Sequence, residues 1–170
     1  MNLDAHIRDI RDFPKPGIVF KDITPLLGNA EAWGASVSAL SKPYTGQSID
    51  AIVGIESRGF IFGAAVAYEL NIGFIPIRKP EKLPADTLSV SYALEYGEDT
   101  VEIHRDALTA GQSVVIMDDV LATGGTMAAA CELVEKTGAD IVGLAFLVEL
   151  GFLEGRARLG DHPIHAVLTY

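Results

Sequence analysis

Two adjacent carboxylates and a threonine–glycine turn follow one short apolar run of this chain. Val114–Met117 is apolar, Asp118 and Asp119 come directly after it, and the sequence TGGT at 123–126 precedes a segment of helical composition. Glycines permit positive φ angles and leave space for a ligand, so the N–H groups of 122–126 can converge at the positive end of a helix. That arrangement predicts a phosphate site formed by Ala122, Thr123, Gly124, Gly125 and Thr126.

The acidic pair predicts a second partner beside the phosphate. Carboxylates repel a phosphate, but they accept hydrogen bonds from sugar hydroxyls, and oxygen ligands suit Mg²⁺. Asp118 and Asp119 are therefore expected to hold the ribose of a ribose 5-phosphate group. Two other phosphate motifs do not fit, because no lysine follows the glycines and the spacing G-x-G-x-x-G is absent from this segment. A tight strand-to-helix turn capped by threonine is the structural alternative.

The elements that must position these residues alternate along the chain. Short apolar runs predict strands, and the longer amphipathic runs between them predict helices. Strands that alternate with helices need crossover connections, so we predict an α/β fold with a mostly parallel sheet flanked by helices. The expected strands are Ala51–Ile55, Gly73–Ile77, Val114–Met117, Ile141–Val148 and an edge strand Ile164–Leu168, and the expected helices are Ala30–Leu40, Phe60–Leu70 and Met127–Lys136.

The segment Lys79–His104 breaks this alternation. Ser89–Leu94 and Thr100–His104 have strand-like patterns on either side of Glu95–Asp99, which predicts an inserted antiparallel β-hairpin. Such a hairpin cannot enter a parallel sheet by a crossover, so we expect it to project over the carboxyl ends of the strands. We predict one domain, 1–170, in which residues 79–104 form a mobile flap, here called the hood. A surface excursion without a role is the alternative.

Composition limits the classes of partner. The 170 residues include 13 basic and 23 acidic side chains, so the formal net charge is −10. Nucleic-acid binding needs a basic face, and we expect none. No apolar run approaches the ~18 residues of a membrane span, and the charged start Met1–Gly17 lacks a signal-like apolar centre, so we expect no membrane contact. The single cysteine, Cys131, excludes an internal disulfide and suits a cytoplasmic location.

Five segments of the chain form one pattern: Phe13–Pro25, Glu56–Phe60, Ile77–Pro84, Leu94–Gly97 and Val114–Thr126. Together they resemble the type I phosphoribosyltransferases, in a resemblance that extends from about residue 2 to residue 168, and the first and fourth resemble the members that act on adenine. The resemblance implies that family's fold, with a β-hairpin hood and an amino-terminal base-binding segment. It also implies purine salvage: adenine and 5-phosphoribosyl-1-pyrophosphate (PRPP) give AMP and pyrophosphate. Mg²⁺ would be bound mainly through PRPP, with its direct protein ligands unknown, and the chain would form a homodimer.

The cationic residues are expected at the pyrophosphate end. Arg78, Lys79 and Lys82 place three cations within five residues of an otherwise acidic protein. Such a cluster can hold pyrophosphate, although an ordinary charged loop is the alternative. The resemblance implies that the loop at 56–58 binds pyrophosphate through a non-proline cis peptide, and that the family often supplies the other cations across a dimer interface. The expected residues are Glu56, Ser57, the catalytic Arg58, Arg78, Lys79 and Lys82, with Arg78 and Lys82 favoured among the last three.

The resemblance also assigns the base and its proton. Phe20 would stack on adenine while the backbones of Val19 and Lys21 read the edge that carries the amino group; many relatives have arginine in place of Lys21. Glu95 would be the catalytic acid or base near the imidazole part of the purine, and Tyr96 would help to close the hood. The alternatives are that Phe20 belongs to the core and that Glu95 is an exposed acid in a turn.

Two other functions stay open at this point. The same transfer to guanine, xanthine or a pyrimidine would differ in the segment around Phe20. A regulatory module that senses PRPP or a nucleotide without turnover is the second, although such modules usually carry an extra domain. The four histidines lack the spacing of a zinc site and receive no role.

Overall fold

The computed structural model describes residues 1–93 and 97–170. The helices there are α1 (Thr24–Leu27), α2 (Ala30–Ser41), α3 (Arg58–Leu70) and α4 (Gly125–Thr137), with short 3₁₀ turns at Asp4–His6, Lys42–Tyr44, Gly151–Leu153 and Gly155–Arg158. The strands are β1 (Arg8–Arg11), β2 (Val19–Asp22), β3 (Ala51–Ile55), β4 (Gly73–Ile77), β5 (Thr87–Ala93), β6 (Glu98–His104), β7 (Ser113–Leu121), β8 (Asp140–Glu149) and β9 (Ile164–Thr169). No helix among these residues is both long and apolar enough to cross a membrane.

Five parallel strands form the central sheet in the order β4-β3-β7-β8-β9. Strand β3 and the segment Val114–Met117 of β7 are apolar without interruption because helices cover both faces, and every one of these residues is buried. The predicted α/β class is therefore confirmed, and β9 lies at an edge of the sheet as expected.

The side chains of the sheet feed two cores, one on each face. Alternate residues of β3 point in opposite directions, so Ile52 packs with Phe62 of α3 while Val53 packs with Leu133 of α4. Helices α2 and α3 cover the first face. Helix α4 and the β5–β6 hairpin cover the second, where Val101 is 1% exposed.

Strand β7 is longer than the sequence predicted. We expected the strand to end at Met117, and this was wrong: the ladder with β8 continues through the pairs Asp118–Phe146 and Val120–Val148. The backbone can continue because a strand's hydrogen bonds do not depend on side-chain polarity. The carboxylates consequently lie on the last part of a rigid strand instead of on a loop.

An antiparallel hairpin of β1 and β2 precedes the sheet, and the sequence analysis did not predict it. The sequence of β1, RDIR, has one apolar residue and therefore little strand signal. Ion pairs hold the two strands: Arg8 with Asp22 at 2.6 Å and Lys21 with Asp9 at 2.7 Å. Pairing with β1 thus holds β2, which is the expected base-binding segment.

The hood hairpin is present as β5 and β6, which pair from Thr87–His104 to Ala93–Glu98. The base of the hairpin is attached to the rest of the fold by two kinds of contact. Val90 packs into the core, and the backbones of Arg78 and Glu102 exchange two hydrogen bonds of 2.9 and 2.7 Å. These contacts fix its base beside the carboxyl end of β4. The tip, with Glu95 and Tyr96, lies outside the described residues, and the mobility of the hood stays a prediction.

Candidate active site

A branched cleft opens at the carboxyl edge of the sheet. Three adjoining cavities of about 80, 280 and 310 Å³ form it, and Asp118 and Thr126 line all three. The smallest is enclosed by the 122–126 loop, the second by Glu56–Arg58 and the hood, and the third by β2. Open α/β sheets bind ligands at this edge. The expected phosphate and base residues and part of the expected pyrophosphate set therefore meet around one strand end.

The loop at 122–126 joins β7 to α4 and surrounds the smallest cavity. Gly124 precedes the helix with φ of 82°, a conformation that glycine adopts without steric cost. A Cβ at Gly124 would also collide with the carbonyl oxygen of Gly155. The segment after β8 thus packs directly against this loop and fixes its shape.

Asp118 and Asp119 differ in their surroundings although they are adjacent. Asp119 is 4% exposed and accepts a hydrogen bond from Nε of Arg58. Oδ1 of Asp118 accepts one from the N–H of Asp119 at 2.8 Å. Burial, followed by the charge of Asp119, raises the pKa of Asp118 well above 3.8. The folded protein therefore disfavours the ionised form of Asp118. Hydrogen bonds from the hydroxyls of a ligand would stabilise that form.

Arg58 stands at the start of α3, directly across from the acidic pair. Gly59 allows this approach, because a Cβ there would lie 2.8 Å from the carbonyl oxygen of Met117 and 2.9 Å from Oδ1 of Asp118. Burial lowers the pKa of Arg58, but the charge and hydrogen bond of Asp119 outweigh it and raise the pKa overall. The side chain keeps about half of its surface exposed, so a cation faces the cleft. The preceding peptide, Glu56–Ser57, is cis, as the resemblance implied.

Glu56 organises the cationic segment that follows β4. Its two oxygens accept hydrogen bonds from Nε and Nη2 of Arg78, both at 3.2 Å, and one also accepts from the N–H of Lys79 at 2.9 Å. That backbone bond is the main reason why the pKa of Glu56 is lowered. Arg78 also donates to the carbonyl of Lys82 at 3.3 Å. In this arrangement Lys79 lines the cleft, whereas Arg78 and Lys82, favoured from the sequence, are not among its lining residues.

The third cavity has apolar walls on the side of β2. Val19, Phe20 and Lys21 line it, and the ring of Phe20 stands edge-on to Phe13 at 5.3 Å between centroids. The guanidinium of Arg58 lies 5.8 Å from the Phe20 ring centre. A planar aromatic ligand could enter between these groups, because π-faces attract both rings and cations.

The side chain of Lys21 is engaged elsewhere. Its ammonium pairs with Asp9 at 2.7 Å and lies 3.7 Å from the ring centre of Tyr170. The polar groups that Lys21 can offer a base are consequently those of its backbone.

The lining residues that the sequence analysis did not name include Tyr92, Asp99 and Leu150. Tyr92 and Asp99 are cross-strand partners in the hood, whereas the sequence analysis placed Asp99 in the turn; β6 begins earlier than expected, at Glu98, and the expected register did not bring the two side chains together. Leu150 follows the carboxyl end of β8, where ligand contacts are expected. Its apolar side chain carries no chemical signal by itself.

The fold and this cleft define a phosphoribosyltransferase, and the family profile of the phosphoribosyl transferase domain matches residues 29–166. The chain is 57% identical over 170 residues to the adenine phosphoribosyltransferase of Flavobacterium johnsoniae, with 100% of both chains covered. It belongs to the adenine phosphoribosyltransferase family.

Solved structures agree with that assignment. The adenine phosphoribosyltransferase of Thermoanaerobacter pseudethanolicus has a TM-score of 0.96 and 51% identity, and the match covers 99% of this chain and 98% of that one. The Saccharomyces cerevisiae enzyme, crystallised with adenine and an imino-altritol bisphosphate, has a TM-score of 0.92 and 40% identity, with 97% and 96% covered. The resemblance seen in the sequence is therefore confirmed for the fold and for the family.

Proposed function

We propose that this chain transfers the 5-phosphoribosyl group from PRPP to adenine and releases AMP and pyrophosphate, a purine salvage reaction. The observation that carries the proposal is the meeting of three chemically different cavities at Asp118 and Thr126. A phosphorylated sugar with a pyrophosphate on one side and an aromatic base on the other has the same three parts. The full-length similarity to adenine phosphoribosyltransferases supports adenine as the base.

The 122–126 loop is proposed to bind the 5-phosphate through backbone N–H groups at the start of α4, with the hydroxyls of Thr123 and Thr126 adding donors. Asp118 and Asp119 would accept hydrogen bonds from the ribose hydroxyls. Their negative charge also stabilises the positive, oxocarbenium-like sugar ring that forms when the bond to pyrophosphate lengthens. Binding and catalysis then depend on the same two side chains.

At the other end of the sugar, the C1–O bond to pyrophosphate breaks while a purine nitrogen forms the new C1–N bond with inversion. Arg58 and Lys79, which face the cleft, would neutralise the departing charge. Mg²⁺ supplies further neutralisation of pyrophosphate when bound. Among the described residues no group of three His, Cys, Asp or Glu side chains could hold a metal. The two carboxylates Asp118 and Asp119 suit an ion carried mainly by PRPP oxygens.

Adenine is proposed to stack on Phe20, with the backbones of Val19 and Lys21 reading its amino edge. The adenine in the yeast enzyme's crystal supports a base site in this family. Glu95 and Tyr96 lie outside the described residues. Glu95 remains the proposed acid or base for the proton on the imidazole ring of adenine, and Tyr96 is proposed to help close the hood. Hood closure would exclude water, which otherwise hydrolyses PRPP.

We also propose that the chain forms a homodimer and works in the cytoplasm. Ile61 and Tyr68 leave 40% and 88% of their surface exposed on α3, which supports an apolar face for a second copy. Cys131 is a buried free thiol, which suits a reducing compartment. Sedimentation equilibrium should give a mass of roughly twice 18.1 kDa; a monomer at micromolar concentration would contradict the dimer.

A base-competition assay tests the proposed reaction. Purified chain, Mg²⁺ and PRPP are mixed with adenine, guanine, hypoxanthine, xanthine or uracil, and nucleotide and pyrophosphate are quantified. We expect AMP and pyrophosphate in equal amounts, with adenine consumed first from a mixture. Product from another base alone would contradict the specificity, and PRPP binding without any product would favour the regulatory alternative. The double variant Asp118→Asn/Asp119→Asn should remain folded and lose turnover.

A further inference from the structure

A second charged cluster lies on the hood side of the cleft and joins Lys79, which was expected from the sequence, to Tyr92 and Asp99, which were not. Lys79 and Asp99 form an ion pair there. The phenol of Tyr92 donates to Oδ2 of Asp99 at 3.1 Å and accepts from Nζ of Lys79 at 3.4 Å. All three residues line the 280 Å³ cavity together with Arg58. The two cations of the cleft therefore have different partners: Arg58 pairs with Asp119 of β7, whereas Lys79 pairs with Asp99 of the hood.

This cluster is tied to the phosphate loop. Oγ1 of Thr126, in the phosphate loop, donates to the phenol oxygen of Tyr92 at 3.1 Å. The other carboxylate oxygen of Asp99 accepts from the N–H of Thr100 at 2.9 Å, which fixes its orientation. The side chains of Lys79 and Asp99 keep 35% and 31% of their surface exposed. A ligand entering the cavity can reach both groups.

We propose that Asp99 is a resident counter-ion that sets the affinity of the cleft for pyrophosphate by competing with it for the ammonium of Lys79. The inference rests on the proposed function, because it takes pyrophosphate, free or within PRPP, as the ligand of this cavity. Asp99 acts through Lys79 and is a positioning residue.

Charge balance gives the direction of the effect. An incoming polyanion meets an ammonium that Asp99 already neutralises, and it meets the charge of Asp99 itself in the same cavity. Binding must break the Lys79–Asp99 pair or accept the repulsion. Burial is the largest single influence and would favour the neutral forms, but the hydrogen bonds with Tyr92, Thr100 and each other together with the opposite charges outweigh it, so the pKa of Asp99 is lowered and that of Lys79 is raised. Both groups are charged at neutral pH. Removing the carboxylate must then strengthen anion binding.

Calorimetric titration with magnesium pyrophosphate tests this inference. Asp99→Asn keeps the size of the side chain and the acceptor for the N–H of Thr100, removes the charge, and places an amide NH2 where an oxygen now accepts from Lys79 and Tyr92. We expect a lower Kd for pyrophosphate by roughly two- to fivefold, the range of a partly exposed ion pair, and an unchanged KM for adenine. Glu98→Gln is the matched control, because Glu98 precedes Asp99 on β6, is exposed and does not line the cavity. It loses the same charge and should leave the Kd unchanged.

A double-mutant cycle shows whether the effect passes through Lys79. Lys79→Gln should weaken pyrophosphate binding, and adding Asp99→Asn to it should bring little further change. An unchanged or higher Kd in Asp99→Asn would overturn the inference, as would an equal gain in Glu98→Gln or a full gain in the Lys79→Gln background. Wild-type chain that binds no pyrophosphate would instead contradict the proposed function, so the two failures are distinguishable.

Discussion

Asp118 and Asp119 show how one carboxylate can stabilise the fold while its neighbour is kept for a ligand. Asp119 is buried and bonded to Arg58. Asp118 shares the same strand end but faces all three cavities, and its pKa is raised by burial and by the charge of Asp119. A residue that costs stability and points into a cleft is a candidate for function.

Asp118→Asn should therefore raise the melting temperature and reduce activity. The folded-state pKa is above the ordinary 3.8, so the free energy of unfolding falls as pH rises from that value to the folded-state pKa and stays at the lower level above it. The gain from asparagine should be larger at pH 8 than at pH 5 in thermal melts, while kcat/KM falls on the order of 100-fold or more. Asp119→Asn, which leaves Arg58 unpaired, should lower the melting temperature. A destabilised Asp118→Asn at pH 8 would contradict this assignment.

Phe20 offers a separate test of the base site. Phe20→Ala should raise the KM for adenine by roughly 5- to 150-fold, because stacking of a base on an aromatic ring contributes about 1–3 kcal/mol. The KM for PRPP should change little. Lys21→Arg is the control on the same strand: if only its backbone contacts adenine, steady-state kinetics should stay within about twofold of wild type. Equal losses for both substrates in Phe20→Ala would argue against stacking.

At the level of elements, the phosphate loop depends on a segment that contacts no substrate in our account. Gly155 follows β8 and packs against the loop so closely that a Cβ would collide with the carbonyl oxygen of Ala122. The carboxylate of Glu149 holds this segment through two hydrogen bonds of 2.6 Å from Arg156. The shape of the loop is thus set partly from outside the motif.

Gly155→Ala should consequently raise the KM for PRPP at least tenfold by displacing the Ala122 carbonyl, with a smaller effect on adenine. Gly34→Ala is the matched control, because Gly34 lies within α2 and a Cβ there meets no atom within 4 Å. It should stabilise the helix by roughly 0.5–1 kcal/mol and leave both KM values unchanged. Chemical denaturation and steady-state kinetics measure the two effects. Unchanged PRPP kinetics in Gly155→Ala would remove the proposed support role.

The elements show which structural features a sequence can predict. The strands of the sheet were predictable because β3, β7 and β8 contain apolar runs buried on both faces, while the edge strands β4 and β9 are mostly half-buried but still rich in apolar residues. The β1–β2 hairpin was not, since ion pairs such as Arg8–Asp22 hold it and leave no periodic apolar pattern. The predicted end of β7 was too early because the apolar run stops at Asp118. Pairing with β8 in fact continues the strand to Leu121. Tyr92 was missed because its neighbours Lys79 and Thr126 are distant in the chain.

The whole molecule assembles one cleft from segments spread along almost the entire chain. Strand β2, the loop after β3, the hood, the β7–α4 junction and Leu150 each contribute to its walls. The motif at 123–126 could be identified alone, but its relation to Phe20 and Arg58 required the fold. Ligands that contact several segments at once should stabilise the entire domain.

AMP should therefore raise the melting temperature strongly. At 100 times its Kd, a ligand that binds only the folded state adds about 2.7 kcal/mol, which corresponds to roughly 5–10 °C for a domain of this size. GMP shares the phosphate and ribose and should give a smaller shift at equal concentration. Thermal melts of wild type and of Asp118→Asn/Asp119→Asn measure this. An equal shift by both nucleotides, or an undiminished AMP shift in the double variant, would contradict the assigned contacts.

The central claim is that one nucleotide fills the cleft in a single orientation, and a crystal structure of the chain with AMP measures it most directly. We predict the 5-phosphate within hydrogen-bonding distance of the N–H groups of 122–126, the ribose hydroxyls on Asp118 and Asp119, and the adenine against Phe20. AMP bound at another surface, or with its ribose turned away from both carboxylates, would contradict the account.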